Sequence, residues 1–204
     1  MLQVDSLQVE SSQAGSSQVD SSAPEQDVFA GLPGHPMMWI LIGSELLVFG
    51  AALLAFSGAR IADPAGFIAA QNHLDRLTGL INVLVLITSG LFAAFAVEAA
   101  RKADIRRVRW SLVAAALFGL IFLVFKGVEY ASDLGAGFTI ESSTFFTLYY
   151  LVTGFHALHV VLGLIILAIV AAMPSLENVE TGAAFWHMVD LVWLLVFPIV
   201  YLVR

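Results

Sequence analysis

The chain has 204 residues, of which 59% are hydrophobic and 12% are charged, so its composition is too apolar for a water-soluble domain of this size. It contains no cysteine, which excludes disulfides, thiolate metal sites and cysteine nucleophiles. The net charge of −7 is acidic, and the sequence offers no basic surface of the kind that binds nucleic acid.

Residues 1–30 are acidic, rich in Ser and Gln, and contain an imperfect repeat of the pattern Leu/Ser-Gln-Val-Asp/Glu-Ser. Few large apolar residues are available to offset the entropy of ordering, so this segment is predicted to be a disordered tail, separate from a membrane domain at 31–204. It lacks the basic and apolar regions of a signal peptide, so we expect the membrane helices to direct insertion. A docking role is the alternative to a plain solvated extension.

Five apolar stretches follow, each long enough to cross about 30 Å of hydrocarbon as a helix. The predicted helices lie near 37–57, 79–99, 110–130, 144–172 and 185–203. We expect the long fourth helix to tilt or to project beyond the bilayer, and a proline at position 198 to kink the fifth. The predicted fold class is an all-α integral membrane protein, a bundle of five transmembrane helices.

The connection at 100–109 carries five Lys or Arg residues, more than any other short loop. The positive-inside rule therefore places this loop in the cytoplasm. With five spans, the N-terminus is then cytoplasmic and the C-terminus is periplasmic, in the inner membrane of a bacterium.

Two of the predicted helices each carry a pair of polar residues at i, i+3 spacing, His156 with His159 and His187 with Asp190. Such groups are costly in hydrocarbon unless they meet another helix or a polar cavity. The histidine pair could ligate a metal or haem together with Glu129, His187 or Asp190. Neutral histidines hydrogen-bonded to those carboxylates are the favoured interpretation. His187 and Asp190 are expected to be satisfied by the fourth predicted helix, and a polar entry point near the cytoplasmic surface is the alternative.

Glu45 lies eight residues into the first predicted helix, roughly 12 Å along its axis. A carboxyl group at that depth is expected to be protonated or hydrogen-bonded. Proton handling and a neutral glutamate that joins two helices are equally favoured by the residue alone.

Lys126 and Glu129 are spaced for an ion pair near the outer end of the third predicted helix, where the lysine is expected to snorkel to the interface. A contact of Glu129 with His156 or with a lipid head group is the alternative. Polar residues of the second helix are expected to be interhelical donors: Asn82, Thr88 and Ser89. The aromatic run Phe145, Phe146, Tyr149 and Tyr150 is expected to serve packing and an aromatic belt.

Several motifs occur in an order that resembles haem–copper oxidase subunit III over about residues 37–204: ILIGSELLVFG (40–50), LINVLVLITSG (80–90), GVEYASD (127–133), STFF (143–146), TGFHALHVVLG (153–163) and FWHMVDLVWLLVF (185–197). The resemblance implies the short, five-helix form of that subunit. It implies a non-catalytic protein of the respiratory chain that packs beside a haem-containing catalytic subunit, stabilises it, and shapes lipid, gas or proton access. Phospholipids are the other expected partners.

The resemblance also implies that the chain has no cofactor, metal or catalytic residue of its own, and that Glu45 lies near the interface with the catalytic subunit. Within the family, the opening PGHPMMWILIGSELLVFG and the ending FPIVYLVR favour the NorE-type branch associated with nitric oxide reductase and denitrification. The rival within the family is subunit III of an oxygen-reducing oxidase.

Two further classes stay open on the sequence. One is a stand-alone proton-coupled carrier that uses Glu45, His156 and His159, although such carriers usually contain broken helices and only position 198 offers an obvious break. The other is a haem-binding membrane protein, which would show a visible absorption spectrum.

Overall fold

The structure is a computed structural model that describes residues 36–203. The predicted disordered tail, residues 1–30, lies outside the described residues. Within that range the chain forms six α-helices and one π-helical segment: α1 Pro36–Ala62, α2 Pro64–Gln71, α3 Arg76–Arg101, α4 Ile105–Gly135, α5 Thr144–Ala172, α6 Leu176–Phe197 and the π-helix Pro198–Leu202. Five of these helices are long and apolar enough to cross a membrane, which confirms the predicted all-α, five-span bundle.

Two of the long helices begin at least five residues earlier than their apolar runs predicted. Helix α4 begins at Ile105 instead of 110, and α6 begins at Leu176 instead of 185. In each case a polar side chain just before the helix accepts a hydrogen bond from a main-chain N–H in the first turn, which satisfies one of the unpaired donors there. The predicted basic loop at 100–109 is therefore mostly helical, and only 102–104 connects α3 to α4.

The short helix α2 falls at 64–71, between the first and second predicted helices, where the sequence analysis placed no helix. Its first turn is capped by Asp63, whose Oδ1 accepts from the N–H of Gly66 at 3.0 Å, and Pro64 occupies the first helical position. An aspartate followed by proline is a helix-start signal. The signal was present in the sequence, but eight residues are too few to show an apolar span.

Helix α6 lies at the centre of the bundle and packs against α1, α3 and α5. In its most apolar window 56% of the residues are buried, against 17% for α1. Its Trp186 fills a space between α4 and α5 that two glycines leave open: a Cβ atom at Gly119 or Gly163 would lie 2.6 Å from the indole ring. These glycines let the backbones of α4 and α5 approach the large side chain that α6 carries.

Pro198 changes the type of helix, where the sequence predicted a kink. The α-helical hydrogen bonding ends before it and the chain continues as the π-helix Pro198–Leu202. Gln71 of α2 donates from Nε2 to two main-chain carbonyls in or next to this segment, at 2.9 and 3.1 Å, and Arg60 of α1 donates to a third. Side chains of α1 and α2 thereby donate to main-chain carbonyl groups near the C-terminal end of the helix, where main-chain donors are lacking.

Candidate functional site

A closed hydrogen-bond network joins α4, α5 and the π-helix. Lys126 donates from Nζ to Glu129 Oε2 at 3.1 Å, to the Tyr149 hydroxyl at 2.8 Å and to the Tyr201 hydroxyl at 2.7 Å. Both phenols in turn donate to Glu129 Oε1, Tyr149 at 2.9 Å and Tyr201 at 2.6 Å. All three ammonium donors and both carboxylate oxygens are therefore satisfied inside these four residues, which we call the Lys126 network.

The Lys126 network is buried. Lys126 is 1% exposed and Glu129 is 7% exposed. The ammonium group also lies over four aromatic rings, 4.6 Å from Tyr149, 5.0 Å from Tyr130, 5.3 Å from Trp193 and 5.4 Å from Tyr201. The predicted Lys126–Glu129 pair is confirmed, but the expected snorkelling is wrong, because aromatic side chains of α4, α5, α6 and the π-helix enclose the ammonium group where lipid or water was expected.

Glu45 pairs with His159 across α1 and α5. Its Oε2 lies 3.0 Å from Nε2 of His159, at salt-bridge distance but without the alignment that a hydrogen bond requires. The other ring nitrogen, Nδ1, is 2.9 Å from the carbonyl of Phe155 one turn earlier. The sequence predicted Glu129 or Asp190 as the partner of this histidine, but α1 is the helix that lies beside it.

His156 has a different environment from its neighbour at i+3. It is fully buried and stacks on Trp193, with ring centroids 5.0 Å apart and an interplanar angle of 27°. Phe122 meets it edge-on at 5.6 Å. Neither ring nitrogen has a hydrogen-bond partner in the described part of the chain, so His156 contributes packing and not an interhelical hydrogen bond.

Asp190 and His187 face α3, whereas the sequence predicted that α5 would satisfy them. A Cβ atom at Gly90 would lie 2.5 Å from Asp190 Oδ2 and 3.3 Å from His187 Nδ1. The absence of a side chain at Gly90 thus lets the carboxyl group press against the α3 backbone. Both carboxyl oxygens are buried without a hydrogen-bond partner among residues 36–203.

The predicted interhelical donors of α3 behave differently from one another. Ser89 donates to the carbonyl of Ala115 in α4 at 2.6 Å and accepts from Trp186 Nε1 at 3.0 Å, which confirms its role. Thr88 instead bonds back to its own helix, and Asn82 is fully buried with no side-chain partner in the range that the structure describes.

The candidate ligands of the metal or haem hypothesis are distributed over separate contacts. His159 meets Glu45, Glu129 belongs to the Lys126 network, and Asp190 lies against α3. Across residues 36–203 the structure shows no group of three or more His, Asp or Glu side chains placed to hold a metal ion.

Sequence reasoning missed Tyr149 and Tyr201 as members of a polar site. Tyr149 stands in an aromatic run that is typical of packing, and Tyr201 is 75 positions from Lys126. No local signal relates such distant residues, since their contact depends on how α4 and α6 are rotated against each other.

The fold and these buried polar contacts define a multi-pass, α-helical membrane protein whose helices are joined by side-chain hydrogen bonds and ion pairs. The family model for cytochrome c oxidase subunit III matches residues 25–203. The chain belongs to the cytochrome c oxidase subunit III family.

Curated relatives agree over most of the chain. A protein of Mycobacterium leprae named probable cytochrome c oxidase subunit 3 is 31% identical over 173 residues, which is 81% of this chain and 85% of the relative. Cytochrome c oxidase subunit 3 of Corynebacterium diphtheriae is 31% identical over 81% of this chain and 86% of its own length. The Arabidopsis thaliana protein of that name is 32% identical, over 79% of this chain and 65% of the relative.

Proposed function

We propose that this protein is a non-catalytic subunit of a haem–copper oxidase-superfamily complex in the respiratory chain. The observation that carries the proposal is the family match over residues 25–203, joined to a bundle with all five predicted spans. In this role the protein packs beside a haem-containing catalytic subunit and stabilises it in the membrane.

The buried contacts support a structural role. The Lys126 network joins α4, α5 and the C-terminal π-helix with every member satisfied, which favours a fixed arrangement over a moving one. Fixed helix faces suit a subunit whose outer surface must match a partner in the bilayer.

Co-purification tests the proposal directly. The chain, tagged and expressed from its own locus, is extracted in several mild detergents and the eluate is examined for haem absorption and for partner subunits by mass spectrometry. We expect a haem-containing membrane subunit in constant ratio to the tagged chain. Recovery of a lone, homogeneous and folded chain in every detergent would contradict the proposal.

Two branches of the family remain as finer hypotheses about the complex. The chain's opening and ending motifs favour the NorE-type branch linked to nitric oxide reduction, whereas the relatives named above are all cytochrome c oxidase subunits. Consumption of oxygen or of nitric oxide by the purified complex distinguishes the branches, and the neighbouring genes provide a simpler first indication.

Orientation in the membrane is a further part of the proposal. The basic residues around the α3–α4 turn favour the cytoplasm for that turn and for the N-terminus, with the C-terminus in the periplasm. Reporter fusions at 102–104 and after the last residue test this assignment. A cytoplasmic signal at the C-terminus would contradict it.

A stand-alone proton-coupled carrier is the second candidate, and the Glu45–His159 pair is the observation that favours it. Reconstituted protein without partners would then move protons or a coupled solute across vesicles. A matched Glu45→Gln variant, which cannot ionise at that position, should abolish such transport if it occurs.

A further inference from the structure

A groove runs along the outer surface of α6, between α1 and α3, which both pack against that helix. It consists of a larger hollow of about 610 Å³ and a smaller one of about 340 Å³. Ala94 of α3 and His187 and Leu191 of α6 line both hollows, so the two are continuous. We call this surface, which is centred on those three residues, the His187 groove.

Polar side chains lie at two levels of the His187 groove. Its mouth is at the ion pair of Arg101 with Glu180, 3.0 Å apart, where α3 ends and α6 begins. His187 lies seven residues further along α6, which places it about 10 Å deeper in the bilayer. Most of the other lining side chains are apolar.

The imidazole of His187 has unused hydrogen-bonding capacity. It is exposed in the groove and has neither an ion pair nor a hydrogen bond within residues 36–203. Next to it, Asp190 holds two unpartnered carboxyl oxygens against Gly90. Polar groups in hydrocarbon are costly unless they find a partner. A ligand that reaches this depth with a hydrogen-bonding group would therefore be stabilised there.

Depth and width restrict the class of ligand. The phosphate and ester groups of a phospholipid stay near the membrane surface, so they would meet the Arg101–Glu180 pair and not His187. The larger hollow extends from Glu180 to Leu191, about 16 Å along α6, so its mean cross-section is about 40 Å². A transmembrane helix with its side chains is 10–12 Å across and has a cross-section of at least about 80 Å², which is too wide to enter. A narrow, uncharged molecule dissolved in the bilayer satisfies both limits.

We propose that the His187 groove binds an isoprenoid quinone. Such a molecule has carbonyl groups on a flat ring and a tail without a polar group that would hold it at the surface. The ring lies at His187, and the tail follows the apolar side chains of the smaller hollow toward Leu194. One imidazole nitrogen donates to a ring carbonyl of the quinone, or the other accepts from a hydroxyl of the quinol, so both redox forms are held. The proposal concerns binding and does not rest on the proposed function, because the ligand dissolves in the bilayer.

Photolabelling tests the proposal. Membranes that contain the full-length chain, expressed from its own locus, are illuminated with an azidobenzoquinone that carries two isoprene units, and labelled peptides are mapped by mass spectrometry. We expect label on the parts of α3 and α6 that line the groove, and suppression of this label by excess unlabelled quinone with the same tail. An isoprenoid hydrocarbon without a ring serves as the control competitor and should suppress the label far less.

Matched variants locate the site. His187→Phe keeps a flat ring but removes its hydrogen bonds, and should weaken quinone binding about fivefold, the effect of one hydrogen bond. His187→Gln, which can still donate and accept, should retain much of the affinity. Ala94→Leu fills the part common to both hollows and should abolish saturable labelling, whereas Ala55→Leu, at an exposed alanine of α1 outside the groove, should leave it unchanged. Circular dichroism confirms that each variant is folded.

Four results would overturn the proposal. The first is labelling of the unmodified chain that unlabelled quinone does not suppress. The second is equal suppression by the hydrocarbon without a ring, which would show that the groove recognises only an apolar chain. The third is unchanged affinity in folded His187→Phe protein. The fourth is a photoreactive side chain at position 191 that captures another polypeptide in membranes where the groove takes no quinone label, which would assign the groove to a protein partner.

Discussion

The Lys126–Glu129 pair gives the most stringent test of how the interior is held together. Its side chains are 2% and 5% exposed, so removal of one partner leaves the other charge buried. Lys126→Met or Glu129→Gln alone should lower the free energy of unfolding by about 3–5 kcal/mol each. In the double variant neither charge of the pair remains, and the amide oxygen of the new glutamine can still accept from Tyr149 and Tyr201. We therefore expect the double variant to lose about 3 kcal/mol less than the sum of the single variants.

Reversible unfolding in mixed detergent micelles, followed by tryptophan fluorescence, measures these free energies. The exposed pair Lys102–Glu98, which has the same kind of partners 2.6 Å apart, provides the control cycle. Its variants should be additive, because solvent screens both charges. Additive costs in the buried cycle would refute the reasoning, since they would show that Lys126 and Glu129 do not depend on each other.

Three further predictions concern other parts of the bundle. Glu45→Gln should keep assembly and the initial activity of the complex. Glu45→Ala should leave its histidine partner unmatched, lower the stability of the assembled subunit by about 1–3 kcal/mol and shorten the active lifetime of the complex over many turnovers. Loss of initial activity in the glutamine variant would indicate an obligatory proton route. Gly163→Ala should lower the free energy of unfolding by about 1–3 kcal/mol because its Cβ would overlap an indole ring, while Gly43→Ala, which faces open space, should not destabilise the protein. Asp75 caps the start of α3, and a hydrogen bond from the Thr78 hydroxyl holds the pKa of its carboxyl group below the usual value. The stability that this cap adds, measured as the difference from Asp75→Ala, should be present at neutral pH. It should be lost as the pH falls through the lowered pKa.

The membrane helices were predicted from the length of their apolar runs. This criterion missed the start of α4 and the whole of α2, because neither is marked by a long apolar run. The bounds of α5, Thr144–Ala172, agree with the prediction because a polar connection flanks each end of the apolar run. The charged first turn of α4 concealed its start, and α2 is too short to cross a bilayer. In both cases a capping aspartate marked the beginning of the helix, so local hydrogen bonding carried information that hydropathy did not.

Partners of the site residues could be predicted only when they share a helix. The i, i+3 spacing of Lys126 and Glu129 specified their contact, since the geometry of one helix fixes it. The spacing of His156 and His159 predicted one common environment, but the structure gives one a glutamate and the other a tryptophan. Residues at i and i+3 differ by about 60° around the helix axis, which is enough to meet different neighbouring helices.

The sequence by itself determined that five helices cross a membrane and that the chain belongs to the subunit III family. Hydrocarbon imposes a minimum apolar length on each span, and the ordered motifs lie within single helices. Only the tertiary structure decided that Glu45 meets His159, that Asp190 lies against Gly90 and that Tyr201 completes the Lys126 network. Those contacts depend on the rotation and depth of each helix relative to its neighbours, which the close packing of all five spans sets together.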